Sequence, residues 1–104
     1  MQDEITYKIL KSIEKNPSQS QRELSQSLGV SLGKVNYCLR ALVDKGLVKA
    51  NNFRKNPNKA GYLYLLTPKG VDEKATVTVR FLKRKMDEYE RLKQEIADLQ
   101  EETH

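Results

Sequence analysis

Six residues between positions 31 and 40 have the types and spacing of a recognition surface: Ser31, Gly33, Lys34, Asn36, Tyr37 and Arg40. On a helix they share the outer side, because Val35, Leu39, Leu42 and Val43 recur at steps of three and four and claim the inner one. An amide such as Asn36 matches an adenine edge, and Lys34 can reach a guanine or a phosphate. Tyr37 offers a ring to a thymine methyl or a hydroxyl to phosphate. Gly33 has no side chain to hold a duplex away. Arg40, further along, suits the sugar-phosphate backbone better than the bases. Ser20 and Arg22 stand at another predicted helix start, where free backbone N–H groups and a guanidinium favour phosphate. Arg54, Lys55 and Lys59 lie in a stretch from Asn51 to Gly70 with no acid, and are candidates for phosphate or minor-groove contact. Together these residues imply a reader of double-stranded DNA.

The charge distribution agrees. Residues 1–70 carry 12 Lys+Arg against 5 Asp+Glu, whereas residues 71–104 carry 7 against 9. A basic front and a mixed-charge tail suit a polyanion reader joined to an interaction helix. Catalysis is not expected: there is no phosphate loop and no paired carboxylate arrangement, and the only histidine, His104, is the last residue. A single cysteine excludes an internal disulfide and a Cys-rich zinc site, so neither metal nor cofactor is expected, and it fits a reducing compartment. That residue, Cys38, reads as core filler, with redox sensing as the alternative. No signal peptide and no membrane span is read in the sequence, so a soluble, cytoplasmic protein is expected.

Several elements must hold these residues in place. Asp3-Glu4 ahead of Ile5, Ile9, Leu10 and Ile13 predicts a first helix, ended by Asn16-Pro17. Ser20-x-x-Glu23 is a capping box opening a short second helix that stops at Gly29. Ser31 caps a third helix, closed by Gly46. The interval Leu28-Gly29-Val30-Ser31 reads as the turn of a helix-turn-helix. Leu47–Ala50 and the alternating Gly61–Leu66 read as two strands around a basic loop at 51–61, with Tyr62 to Leu65 on core duty rather than RNA stacking. The fold class is therefore mainly α with a small β-hairpin, a winged helix-turn-helix over 3–70.

Thr67-Pro68 starts a last helix, with 71–102 as a dimerisation element. Val71, Ala75, Thr78, Leu82, Lys85, Tyr89, Leu92, Ile96 and Leu99 alternate steps of four and three, and seven of the nine are apolar. This is a heptad seam, with Leu82, Tyr89, Leu92, Ile96 and Leu99 expected to join two chains as a homodimer. The alternative is an arm folded back on the first helix of its own chain. Two rival functions are a winged helix that docks proteins through its C-terminal helix and an RNA-associated adaptor; the acid-free wing favours DNA.

The runs LGVSLGKVNYCLRALVDKGLVKA and YLYLLTPKG, with the basic loop between them, resemble the MarR family of bacterial winged-helix transcription regulators, most of all its short exopolysaccharide-associated members. The resemblance covers roughly residues 3–75. It implies DNA binding by the 31–45 helix, dimerisation, and regulation of transcription of the repressor type. Full-length members carry an earlier helix that helps form the dimer interface and a pocket for small aromatic effectors. Asp3 stands where the resemblance places the next helix, so that element is expected to be missing and an effector is left open.

Overall fold

Hydroxyl side chains set three of the four helix starts. The computed structural model describes residues 3–52 and 62–104, and its order is α1 (Asp3–Lys15), α2 (Gln21–Leu28), α3 (Leu32–Asp44), β1 (Val48–Asn52), β2 (Tyr62–Leu66) and α4 (Pro68–Glu102). Ser20 Oγ accepts from the Glu23 amide at 3.0 Å while Glu23 Oε1 accepts from the Ser20 amide at 3.0 Å, a complete capping box. Ser31 and Thr67 cap α3 and α4 in the same way, by accepting from Lys34 and Gly70. Gly29 takes φ 68° and turns the chain from α2 into α3, a conformation that costs L-residues about 1–2 kcal/mol.

The core forms where α1, α2, α3 and the hairpin converge. Ile9, Leu10, Ile13, Leu24, Val35, Leu39, Leu42, Leu47, Val48 and Tyr64 are buried together, and Cys38 joins them. Leu28 and Val30 flank the turn and pack against this cluster. The strands pair antiparallel, Val48 with Leu66 and Ala50 with Tyr64. The Tyr64 amide also donates to the Pro17 carbonyl at 2.9 Å, which hooks the α1–α2 connection onto the hairpin. Val43, expected on the inner face of α3, is 38% exposed. It lies in the last turn of the helix, and Leu42 turns inward in its place.

The start of α4 is stitched to the corner after α3. Thr67 donates its amide to Leu47 O at 3.1 Å and its hydroxyl to Gly46 O at 2.6 Å, and Lys69 Nζ donates to Lys45 O at 3.1 Å. Gly70 is buried there, and a Cβ at that position would collide with the Leu47 carbonyl. The helix then crosses α1. Val77 is buried, the Tyr7 and Phe81 rings lie 5.3 Å apart, and Lys74 pairs with Glu14 at 2.6 Å. Arg80 grips Asp3 in a two-point contact, Nε to Oδ2 at 2.9 Å and Nη2 to Oδ1 at 3.2 Å. The guanidinium holds the Asp3 carboxyl below its ordinary value of 3.8, against the opposing effect of burial.

From Leu82 onward α4 leaves the rest of the chain and is exposed throughout. The folded-back reading of this helix thus holds over one stretch only. Its first part folds back on α1, and the remainder projects as an arm. The boundary drawn at 70/71 falls inside the first turn of α4 rather than between elements.

Candidate nucleic-acid interface

α3 presents a flank that no other described residue covers. Ser31, Leu32, Gly33, Lys34, Tyr37 and Arg40 are all exposed, Tyr37 at 68%. Val35, Cys38, Leu39 and Leu42 anchor the other side in the core, so the flank is fixed in orientation. A Cβ built on Gly33 would meet no atom within 4 Å, and its φ is not in the left-handed region. Neither packing nor backbone conformation within the chain therefore requires a glycine there. The bare backbone leaves room there for a close approach from outside.

Asn36 stands differently from its neighbours. It is half-buried, and its Nδ2 donates to Gln21 Oε1 at 3.1 Å. Gln21 Nε2 in turn donates to the Tyr64 hydroxyl at 3.2 Å. One amide chain thus joins the recognition-type helix, the start of α2 and the hairpin. Sequence reasoning put Asn36 on the open flank and missed Gln21. The only local signal was a long polar side chain directly after the Ser20 cap. An open groove beside this chain is lined by Gln21, Arg40, Val43, Asp44, Ala50 and Tyr64, together with Leu39.

At the start of α2 the capping box occupies the amides of Ser20 and Glu23. By helix geometry the Gln21 and Arg22 amides have no intrahelical partner and remain directed at whatever lies before the helix. The exposed Arg22 side chain is beside them. The carboxylate of Glu23 tempers this site, since its oxygen sits on the Ser20 amide where an anion would bind. Arg54, Lys55 and Lys59 lie outside the described residues. Cys38 is buried at 7% exposure, which keeps its thiol in the core rather than on the flank. Among the described residues no cluster of His, Cys, Asp or Glu is arranged to hold a metal, and no helix is long and apolar enough to cross a membrane.

Residues 2–49 match the family described as winged helix-turn-helix DNA-binding, and this span contains all of α1, α2 and α3. The solved structure of wild-type MarR from E. coli, in its apo form, matches with 32% identity and a TM-score of 0.59 over 70% of this chain. The chain carries a winged helix-turn-helix whose fold is similar to that of MarR. The S. aureus MepR–DNA complex covers 99% of the chain with a TM-score of 0.64 at 16% identity, so the whole architecture, arm included, has a counterpart in that fold. S. aureus MarR, solved with salicylate and kanamycin, matches 79% of the chain at 23% identity and a TM-score of 0.59. The chain spans 53% of the length of each of the two MarR structures. No curated protein sequence matches it. In the winged helix-turn-helix order, α2 and α3 form the helix-turn-helix, α3 holds the place of the recognition helix, and β1 and β2 hold that of the wing's stem.

Proposed function

We propose that this chain is a sequence-specific duplex-DNA-binding regulator of transcription, acting as a repressor-type homodimer in the cytoplasm and working by binding rather than catalysis. The observation that carries the reading is the uncovered flank of α3, with Gly33 bare and Lys34, Tyr37 and Arg40 outward. A helix so presented fits a major groove roughly 12 Å wide. In this reading the bases are met by Ser31, Gly33, Lys34 and Tyr37. Arg40, Ser20 and Arg22 hold phosphates, and Arg54, Lys55 and Lys59 follow the backbone or minor groove from the wing. Residues 3–70 form the DNA-binding unit and 71–102 the dimerisation element, with Leu82, Tyr89, Leu92, Ile96 and Leu99 in the seam. The runs at 28–50 and 62–70 support membership of the short exopolysaccharide-associated type. Sequencing of DNA bound by the protein in cells tests that assignment, since sites away from polysaccharide gene clusters oppose it.

The primary test is selection of bound sequences from a random duplex pool, followed by anisotropy titration. Lys34→Ala is expected to alter sequence preference, whereas Arg54→Ala weakens all duplexes alike. With six to eight phosphates engaged per dimer, log K is expected to fall against log salt with a slope between about −5 and −7. If the pool shows no enrichment, and both variants bind as the parent does, the regulator reading fails.

A further inference from the structure

The exposed part of α4 has an apolar face without a partner among the described residues. Leu82, Tyr89, Leu92, Ile96 and Leu99 are between 47% and 61% exposed, and Met86 beside them is 59% exposed. At about 100° per residue they spread over roughly 40–180° around the helix from Val77, which packs on α1, and those nearest its phase, Leu92 and Leu99, lie about four turns or more beyond it. A second helix can therefore lie along the face without displacing the head. The charges beside the seam carry information on how it does so. With Leu82, Tyr89 and Ile96 as one seam row and Lys85, Leu92 and Leu99 as the other, the flanking positions are Phe81, Glu88 and Glu95 on one side and Met86, Lys93 and Gln100 on the other.

The geometry points to a second copy of this chain bound in parallel and in register, as a two-stranded coiled coil over residues 82–99; this rests on the dimeric reading proposed above. In the parallel arrangement Glu88 faces the partner's Lys93 at two symmetry-related positions. Phe81 faces the partner's Met86, which covers that exposed thioether. In the antiparallel arrangement centred on the same seam, Glu88 faces the partner's Glu95 twice and every opposite-charge contact across the interface is lost. There Lys85 also meets the partner's Ile96, whereas in register it meets its own counterpart. Its ammonium is already drawn off the seam, hydrogen-bonded to Glu88 Oε2 at 3.2 Å and 5.3 Å from the centre of the Phe81 ring. A lone lysine in a seam specifies register in this way, at some cost in stability.

The position of the heads gives a second, independent argument. Antiparallel arms put the two winged helices on the order of 50 Å apart at opposite ends of the coil, by the rise per residue of α4. Parallel arms bring them to the same end, on either side of the coil. Successive major-groove faces of one duplex are about 34–36 Å apart.

The test uses the full chain. Light scattering across a range of concentrations gives mass, and circular dichroism confirms that each variant keeps its helix content. In the parallel dimer E88K sets ammonium groups against each other, and a weakening of roughly three- to tenfold in dimer Kd is expected. K93E is expected to weaken it similarly, and mixing the two variants restores the parent affinity, because each then supplies the charge the other lacks. Leu99→Cys is expected to form an intermolecular disulfide on oxidation, and Gln94→Cys, on the outer side of the coil, is not. A dimer that tightens with E88K and fails to cross-link through Leu99→Cys overturns the orientation while leaving a dimeric regulator standing. A monomer at every concentration, still binding duplex DNA, overturns the second copy as the occupant of this face. A trimer or tetramer overturns the two-stranded assembly.

Discussion

Val77 and Leu82 lie close together on the same helix, yet Val77 is 2% exposed and Leu82 58%. The difference is one of phase. Val77 shares a side of α4 with Gly70 and Phe81 and meets α1; Leu82 begins the other side, which meets no other described element. The head completes its core from its own residues, with Ile9, Leu10, Leu24 and Val35 at 0% exposure. The arm reaches no such closure alone. Stability of the head should thus be a property of the single chain, and order at the arm's seam a property of concentration.

The largest break in this comparison is expected from Leu24→Ala. Truncating a fully buried leucine should cost about 2–5 kcal/mol, independent of protein concentration in thermal or denaturant unfolding. Leu92→Ala on the arm should leave the unfolding of the head nearly unchanged and act on dimer mass instead. Equal loss at all concentrations from both variants would erase the distinction between head and arm.

Next in size is Gly70→Ala. The added methyl group has no room against the Leu47 carbonyl, so the start of α4 must move off the corner. A cost of about 1–3 kcal/mol in head stability is expected. Asn36→Ala comes third. Removing the amide strands the Gln21 side-chain oxygen that accepts from it, and about 0.5–1.5 kcal/mol should be lost. If the variant instead unfolds like the parent and changes only sequence preference, Asn36 reads bases rather than holding α3 to α2.

The smallest effect is expected at Asp3. Its folded-state value is lowered chiefly by the hydrogen bond to Arg80, so the contribution is whole above the ordinary carboxylate value of 3.8 and is lost as pH falls through the lowered one. Acid unfolding should accordingly steepen below about pH 4, and Asp3→Asn should flatten it. An unchanged acid profile in that variant would show that α4 is held on α1 by Val77 and the Tyr7–Phe81 contact without help from the ion pair.

The legible parts of the fold were those encoded over a few residues. Ser20-x-x-Glu23, Gly29 and Thr67-Pro68 each determine a local geometry that needs no distant partner, and each appears where its spacing places it. The exposed flank of α3 was legible for the same reason, since Val35 and Leu39 orient it by periodicity alone. What escaped were contacts between residues far apart in sequence. Asn36 meets Gln21 across the helix-turn-helix, and Asp3 meets Arg80 from the opposite end of the chain. α4 was ambiguous because it carries two apolar sides, and the four-three rhythm of the stronger one masks the shorter one through Val77. The need for glycine at position 70 was hidden too, because it arises only when α4 is laid against Leu47.

The bonds that Thr67 and Lys69 make to the corner, and the tight fit of Gly70, leave α4 no hinge where it joins the reading head. After Gly70 the helix contains neither glycine nor proline to bend it. The angle between the side clasped by α1 and the side left open is consequently written in residue count. One residue inserted between Phe81 and Leu82 would swing the head by about 100° around the shaft while leaving Val77, Arg80 and Phe81 on their α1 partners.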